Sequence, residues 1–345
     1  MNIFFGIFLI ATGAFAAGSF AVPFGYIKGW KWETYWMIYS IGAYMVFPLT
    51  GCLLLAPGSR QVILETEPMV LLTVFLLGAI YGIGNLSFGL ALRYLGLSLG
   101  YALSLGLMLA IGTLLPPMID GRLKPMMGTQ AGNLLLAGIL VAAIGVVFSA
   151  WAGILKDKEV IDSKKRETVA EFNLTKGILA SLLVGITGSA MALGFEQGLP
   201  ITRIAETQNI SSLFTMLPVY VVLLSGTLIT TLIWCLTVGV RNRSLKEYFR
   251  VESSGVLNRN YLLGLFAGFL WFSQFIMFSM GKSKMGPYTF TSWGILMALV
   301  IAFAAFWGLI RKEWKGASKK VYVLMAVSIA VLIAGSFLIG LSNAE

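Results

Sequence analysis

Apolar runs of about twenty residues alternate with short polar breaks along the whole 345-residue chain. A run of that length, wound as a helix, matches the hydrocarbon thickness of a bilayer. The pattern predicts ten spanning helices, at roughly 3–25, 35–56, 69–92, 95–118, 132–152, 177–196, 211–238, 260–280, 289–310 and 321–341. The connections are short; the two longest, 153–176 and 239–259, are charged. The expected fold is an all-α integral membrane protein, a single transmembrane domain over residues 1–345. Its first half is 1–155, its central loop 156–176 and its second half 177–345. Five helices per half turn the second half upside down relative to the first. Inverted repeats of that kind are a recurrent transporter plan.

The stretch Gly78 to Gly100 interrupts the apolar pattern most informatively. It sets Asn85 in a bed of glycines, passes Arg93, and enters the next run at Gly96. An amide at that depth needs a partner or a wet cavity. Gly96, Gly100 and Ser104 follow at spacings of four, so one small-residue face is expected for helix packing.

Composition supports this reading: 58% of residues are hydrophobic, 12% are charged, and mean hydropathy is +0.86. The formal charge of +10 invites a nucleic-acid reading, but the basic residues sit in short loops, where they orient helices. Nineteen of the 25 lysines and arginines fall in loops after odd-numbered spans. That side is expected to be cytoplasmic, with both termini outside. Trp30, Trp32, Trp36, Tyr94, Trp151, Tyr248, Trp314 and Tyr322 cluster at the same boundary, as an interfacial aromatic belt does. The N-terminus has no basic n-region and reads as a retained first span rather than a signal peptide.

Histidine is absent, which removes the usual general base and metal ligand. Cys52 and Cys235 lie inside apolar runs and read as packing residues. Gly96-Leu-Ser-Leu-Gly100 has the spacing of a nucleophile elbow, yet opens a membrane helix in a chain without histidine. No enzyme, metal site or cofactor is expected.

The polar residues within the spans carry the candidate chemistry. Asn85, Trp271, Gln274, Ser292, Trp293 and Tyr288 offer amides, hydroxyls and flat rings, which a neutral sugar uses for its hydroxyls and C–H faces. Interhelical bonding and ordinary packing explain the same residues equally well. Proton coupling asks for a buried carboxylate. Glu196, ending the sixth span, and Glu33, starting the second, are the best placed; Asp120 and Glu206 lie at other span ends. Sodium coupling through carbonyls and hydroxyls stays open.

Several runs stand in one order along the chain. They are Trp30-Lys-Trp-Glu-Thr-Tyr-Trp36, Gly78-Ala-Ile-Tyr-Gly-Ile-Gly-Asn85, Arg93-Tyr-Leu-Gly-Leu-Ser-Leu-Gly100, Glu171-Phe-Asn-Leu-Thr-Lys-Gly177 and Leu217-Pro-Val-Tyr-Val-Val222, then Trp271 with Gln274-Phe275, Ser292-Trp293 and Lys312-Glu-Trp314. With them the whole chain resembles the L-rhamnose–proton symporter family of the drug/metabolite transporter superfamily. The resemblance implies a ten-helix bacterial inner-membrane carrier importing a deoxyhexose with protons. Asn85, Trp271, Gln274, Ser292, Trp293 and Glu33 stand at matching positions. Segment 194–210 departs from the family pattern. Other readings of the scaffold are a carrier of another sugar or metabolite, an exporter, a sodium-coupled carrier, and a sugar-binding receptor that does not transport.

Overall fold

The computed structural model describes residues 3–119, 121, 123–159, 171–250, 254–285 and 292–342. Among these residues the chain is helical, with no strand. Its helices are α1 (Ile3–Ser19), α2 (Trp32–Ile41), α3 (Phe47–Leu55), α4 (Ser59–Glu65), α5 (Pro68–Leu95), α6 (Leu97–Ile119), α7 (Leu123–Met126) and α8 (Gln130–Glu159). From residue 171 onward come α9 (Leu174–Gly188), α10 (Ala190–Gln197), α11 (Leu199–Thr207), α12 (Leu217–Arg241), α13 (Ser254–Lys284), α14 (Ser292–Ile310) and α15 (Lys319–Ser342). Among the described residues eight helical stretches are long and apolar enough to cross a membrane, and Leu97–Gly112 and Ile295–Ile310 are shorter apolar helices.

The helix boundaries have local causes. Gly96 adopts φ +81° between α5 and α6, a left-handed conformation that suits glycine. It is therefore the break between two helices rather than a member of a helical face. Of the expected small-residue row, Gly100 packs against Leu92 at the end of α5, and the Ser104 hydroxyl donates to that of Ser181 on α9 at 3.0 Å. Asn173 caps α9, its side chain accepting the Lys176 N–H at 3.0 Å. The second span is not one regular helix: a π turn, Gly42–Val46, joins α2 to α3.

The chain divides into two compact units, each drawn from both sequence halves. The first comprises 1–18, 84–189 and 280–345. Within it α8 packs along α15, and α6 packs on α9, α8 and α14. Ser328 of α15 donates to the Gly145 carbonyl of α8 at 2.9 Å and meets the Ser149 hydroxyl. Several crossings bring backbones together. A Cβ on Gly84 of α5 would lie 2.7 Å from the Gly188 nitrogen of α9, and one on Gly281 of α13 would lie 2.8 Å from the Gly6 oxygen of α1. Gly18 of α1 approaches Ala304 of α14 in the same way.

The second unit comprises 19–83 and 190–279. Here α5 crosses α12 so closely that a Cβ on Gly78 would land on the Leu223 carbonyl, and one on Gly226 on the Phe75 carbonyl. Thr227 donates to the Gly78 carbonyl and Thr230 to that of Ala79, each at 2.9 Å. These hydroxyls turn a small-residue contact into a bonded one, as membrane helices do. α2 and the π turn meet α13 at Gly268, whose Cβ would lie 2.8 Å from the Tyr39 oxygen and 2.7 Å from the Ala43 nitrogen.

Candidate functional site

Asn85 and Ser292 belong to the first unit. Asn85 follows Gly84 at the crossing of α5 with α9 and is 2% exposed; its Oδ1 is buried and accepts no hydrogen bond. Ser292 opens α14, is 1% exposed, and its Oγ is likewise buried with no bond. A buried polar atom without a partner costs about 1–3 kcal/mol, so a protein that keeps one gives it a use or a water. Trp293 lies in α14, with its side chain outside the described residues; Tyr288 lies outside them altogether.

Trp271 and Gln274 belong to the second unit, one turn apart on α13. Both are buried, and the Gln274 Nε2 donates to the Trp271 carbonyl at 2.8 Å. That bond spends one donor on the helix itself. Trp271 stands in a row of aromatic rings: edge-on to Tyr44 at 5.2 Å and to Phe275 at 5.2 Å. Tyr44 in turn meets Tyr39 at 5.8 Å, with the two hydroxyls 3.3 Å apart. The π turn widens the helix to more than four residues per turn, which swings Tyr44 toward Tyr39, five positions away.

The row continues along α2 into residues expected at the membrane interface. Trp36 packs on Tyr39 at 4.9 Å and stacks on Trp32 at 5.1 Å with the rings 16° apart. Trp30, Trp32 and Trp36 are all buried, which corrects the interfacial-belt reading of this run; Trp151 and Tyr322 remain exposed. The cause is tertiary. The Trp30 indole donates to the Glu247 carbonyl at 2.8 Å, and Glu247 itself accepts from the Lys31 N–H at 2.7 Å and the Thr34 hydroxyl at 2.6 Å. The Nε1 groups of Trp32 and Trp36 are buried without partners. Sequence alone gave no signal of these two donors beyond the density of tryptophan.

The two carboxylates considered for the proton lie in the second unit and differ in setting. Glu33 is 2% exposed; its Oε1 accepts from Asn242 Nδ2 at 2.9 Å and from the Ser244 hydroxyl at 2.7 Å. Glu196 ends α10 and is exposed.

A further buried carboxylate lies in the first unit, in the segment after α14. Glu313 is 4% exposed and receives the backbone N–H groups of Leu97 and Ser98 at 2.7 and 3.0 Å. It thereby caps α6, where the helix dipole favours a negative group. Burial pushes its carboxyl above the usual carboxylate range, with these amides and the Lys156 charge pulling the other way. Lys156, 1% exposed, holds its ammonium 4.8 Å from the ring centres of both Phe172 and Trp314. Nothing in the local sequence Arg-Lys-Glu-Trp-Lys marks Glu313 as buried. The amides that bond it are more than two hundred residues away.

Among the described residues no group of three or more Cys, Asp or Glu gathers to hold a metal. The buried partnerless atoms within the spans are amide, hydroxyl and indole groups. A multi-pass helical membrane protein with that inventory is suited to a neutral polyhydroxyl ligand. The chain belongs to the L-rhamnose-proton symport protein (RhaT) family, whose description matches residues 1–345. It is 34% identical over 345 residues to the L-rhamnose-proton symporter of Yersinia pestis (strain Pestoides F), covering 99% of this chain and 98% of that one. The L-rhamnose-proton symporter of Citrobacter koseri is 34% identical over 343 residues, with the same coverage. These relatives are named as transporters, not enzymes. No solved structure matches the chain.

Proposed function

We propose that this protein imports L-rhamnose, or a closely related deoxyhexose, by proton symport across the bacterial inner membrane. Membership of the family supports the substrate and the coupling ion. The observation that carries the site is the pair of partnerless buried atoms at Asn85 and Ser292, both in the first unit; Trp271, Gln274, Trp293 and Tyr288 are candidate sugar contacts by residue chemistry alone. Amide and hydroxyl oxygens accept from sugar hydroxyls, and an indole face covers C–H groups.

The architecture we propose is ten spans in two inverted five-helix repeats, with both termini outside. With the spans numbered in order, helix contacts recur five spans later. The first meets the eighth (α1 with α13) as the sixth meets the third (α9 with α5). The second meets the eighth (α2 with α13) as the seventh meets the third (α12 with α5). Second and seventh, fourth and ninth, and fifth and tenth spans pack on each other. A repeat related by a two-fold axis generates such pairs.

The test is uptake of labelled L-rhamnose into proteoliposomes, with and without an inward proton gradient. Accumulation above equilibrium, abolished by a protonophore, supports both substrate and coupling. Equilibration without response to the gradient retires the proton and makes sodium the next trial. Asn85→Ala is expected to weaken apparent affinity about 3- to 10-fold, the worth of one hydrogen bond, with normal membrane insertion; unchanged affinity removes Asn85 from the site. For the proton, Glu196→Gln and Glu33→Gln are the paired test. The carrier of the proton loses gradient-driven accumulation and keeps sugar counterflow; a variant that still accumulates normally is excluded.

A further inference from the structure

An apolar groove of about 390 Å³ opens on the first unit between α14, α15 and the segment joining them. Its walls include Leu309, Trp314, Tyr322, Val323 and Ala326, with Lys319 among them. Leu309 and Val323 are more than half exposed. On a multi-pass membrane protein such exposure at a spanning helix faces acyl chains rather than water. The Tyr322 hydroxyl donates to the Trp314 carbonyl at 2.9 Å, fixing the groove's floor.

The adjoining segment Arg311–Lys320 holds five basic residues and one acid. That acid is Glu313, buried and spent on the α6 amides. Lys312, Lys319 and Lys320 are exposed and keep this surface positively charged. Nearby Glu159 accepts from the Ser318 N–H and hydroxyl at 2.9 and 3.0 Å. It offsets only part of the positive charge. The volume is that of a small-molecule site, but the walls suit hydrocarbon and the rim suits an anion. Basic pockets beside spanning helices hold anionic headgroups on these grounds.

We propose that this groove is a binding site for an anionic glycerophospholipid, one acyl chain lying along Leu309, Val323 and Ala326 and the headgroup phosphate on Lys319. The lining offers a polyol few hydrogen-bonding side chains, Lys319 and Ser98, since the Tyr322 hydroxyl is already bonded to the Trp314 carbonyl.

The test uses the full-length protein in mild detergent, incubated with equal phosphatidylglycerol and phosphatidylcholine of the same chains and read by native mass spectrometry. The wild type is expected to retain phosphatidylglycerol about five-fold over phosphatidylcholine, the worth of one lysine near an anionic surface. Lys319→Glu should abolish the preference. Ala326→Phe, which fills the groove, should lower retention of both lipids. Equal retention of the two lipids by the wild type overturns the proposal. So does undiminished retention by Ala326→Phe, or a dimer mass that Ala326→Phe alone removes, which assigns the groove to a second copy. Should Lys319→Glu not fold, phosphatidylglycerol brominated on its acyl chains gives a second reading in the wild type. It should quench tryptophan fluorescence more than brominated phosphatidylcholine, and Trp314→Phe should remove the difference; equal quenching sinks the idea.

Discussion

Gly78→Ala is expected to remove folded protein from the membrane. The added methyl would occupy the position of the Leu223 carbonyl on α12. Overpacking in a core usually costs about 1–3 kcal/mol because side chains shift rotamer. Here the obstacle is backbone, held by its own helix, so α5 and α12 must separate along the crossing. Separation also breaks the Thr227 and Thr230 bonds to the Gly78 and Ala79 carbonyls. Gly226→Ala should behave alike, since its Cβ would meet the Phe75 carbonyl from the opposite helix. Gly255→Ala is the control: it opens α13 with nothing within 4 Å. Size-exclusion profiles of fluorescent fusions and thermal midpoints in detergent decide the matter. Loss of the monodisperse peak is expected for both crossing variants, and a wild-type profile for the control. A Gly78→Ala protein melting within about 2 °C of wild type would mean that the two backbones do not approach so closely.

The spans were legible in the sequence because hydrocarbon thickness fixes their length, whatever their neighbours. Asn85 was legible as an intramembrane amide for the same reason: lipid penalises it. What each glycine meets was not legible. Gly78 and Gly96 look alike in the chain, yet one admits a carbonyl of α12 and the other supplies a left-handed φ between two helices. The tryptophans from Trp30 to Trp36 misled for a related reason. Indole suits an interface and a buried stack equally, and the choice here was made by Glu247 and Tyr39, which the second unit brings to them. The carboxylates show the limit most clearly. Glu196 and Glu33 stand out by their place at span ends, whereas Glu313 lies among the basic residues of a short loop and does not. Only the tertiary fold, which seats it on the first turn of α6, makes it a buried acid.

Glu313→Ala is the other substitution with a large expected effect. It strips the Leu97 and Ser98 amides of their acceptor and removes a carboxylate whose charge acts on the buried Lys156. Removing one member of a buried charge pair costs about 3–5 kcal/mol, much of it the penalty on the charge left behind. The two rings around Lys156 soften this, since they also favour a cation. Replacing both partners, Glu313→Gln with Lys156→Met, should therefore cost less than the sum of the single changes. A double-mutant cycle measures that coupling. The same carboxyl gives a pH signature. Burial holds it above the usual carboxylate value, so the folded state keeps a proton that the unfolded state has lost. Stability contributed by Glu313 is then present below the ordinary value and lost as pH rises through the raised one. Melts of the wild type across that window should fall with rising pH, and Glu313→Gln should flatten the slope. Additive single variants would show that Lys156 and Glu313 act independently. A slope unchanged in Glu313→Gln would assign the titration to another group and leave the cap on α6 as Glu313's whole role.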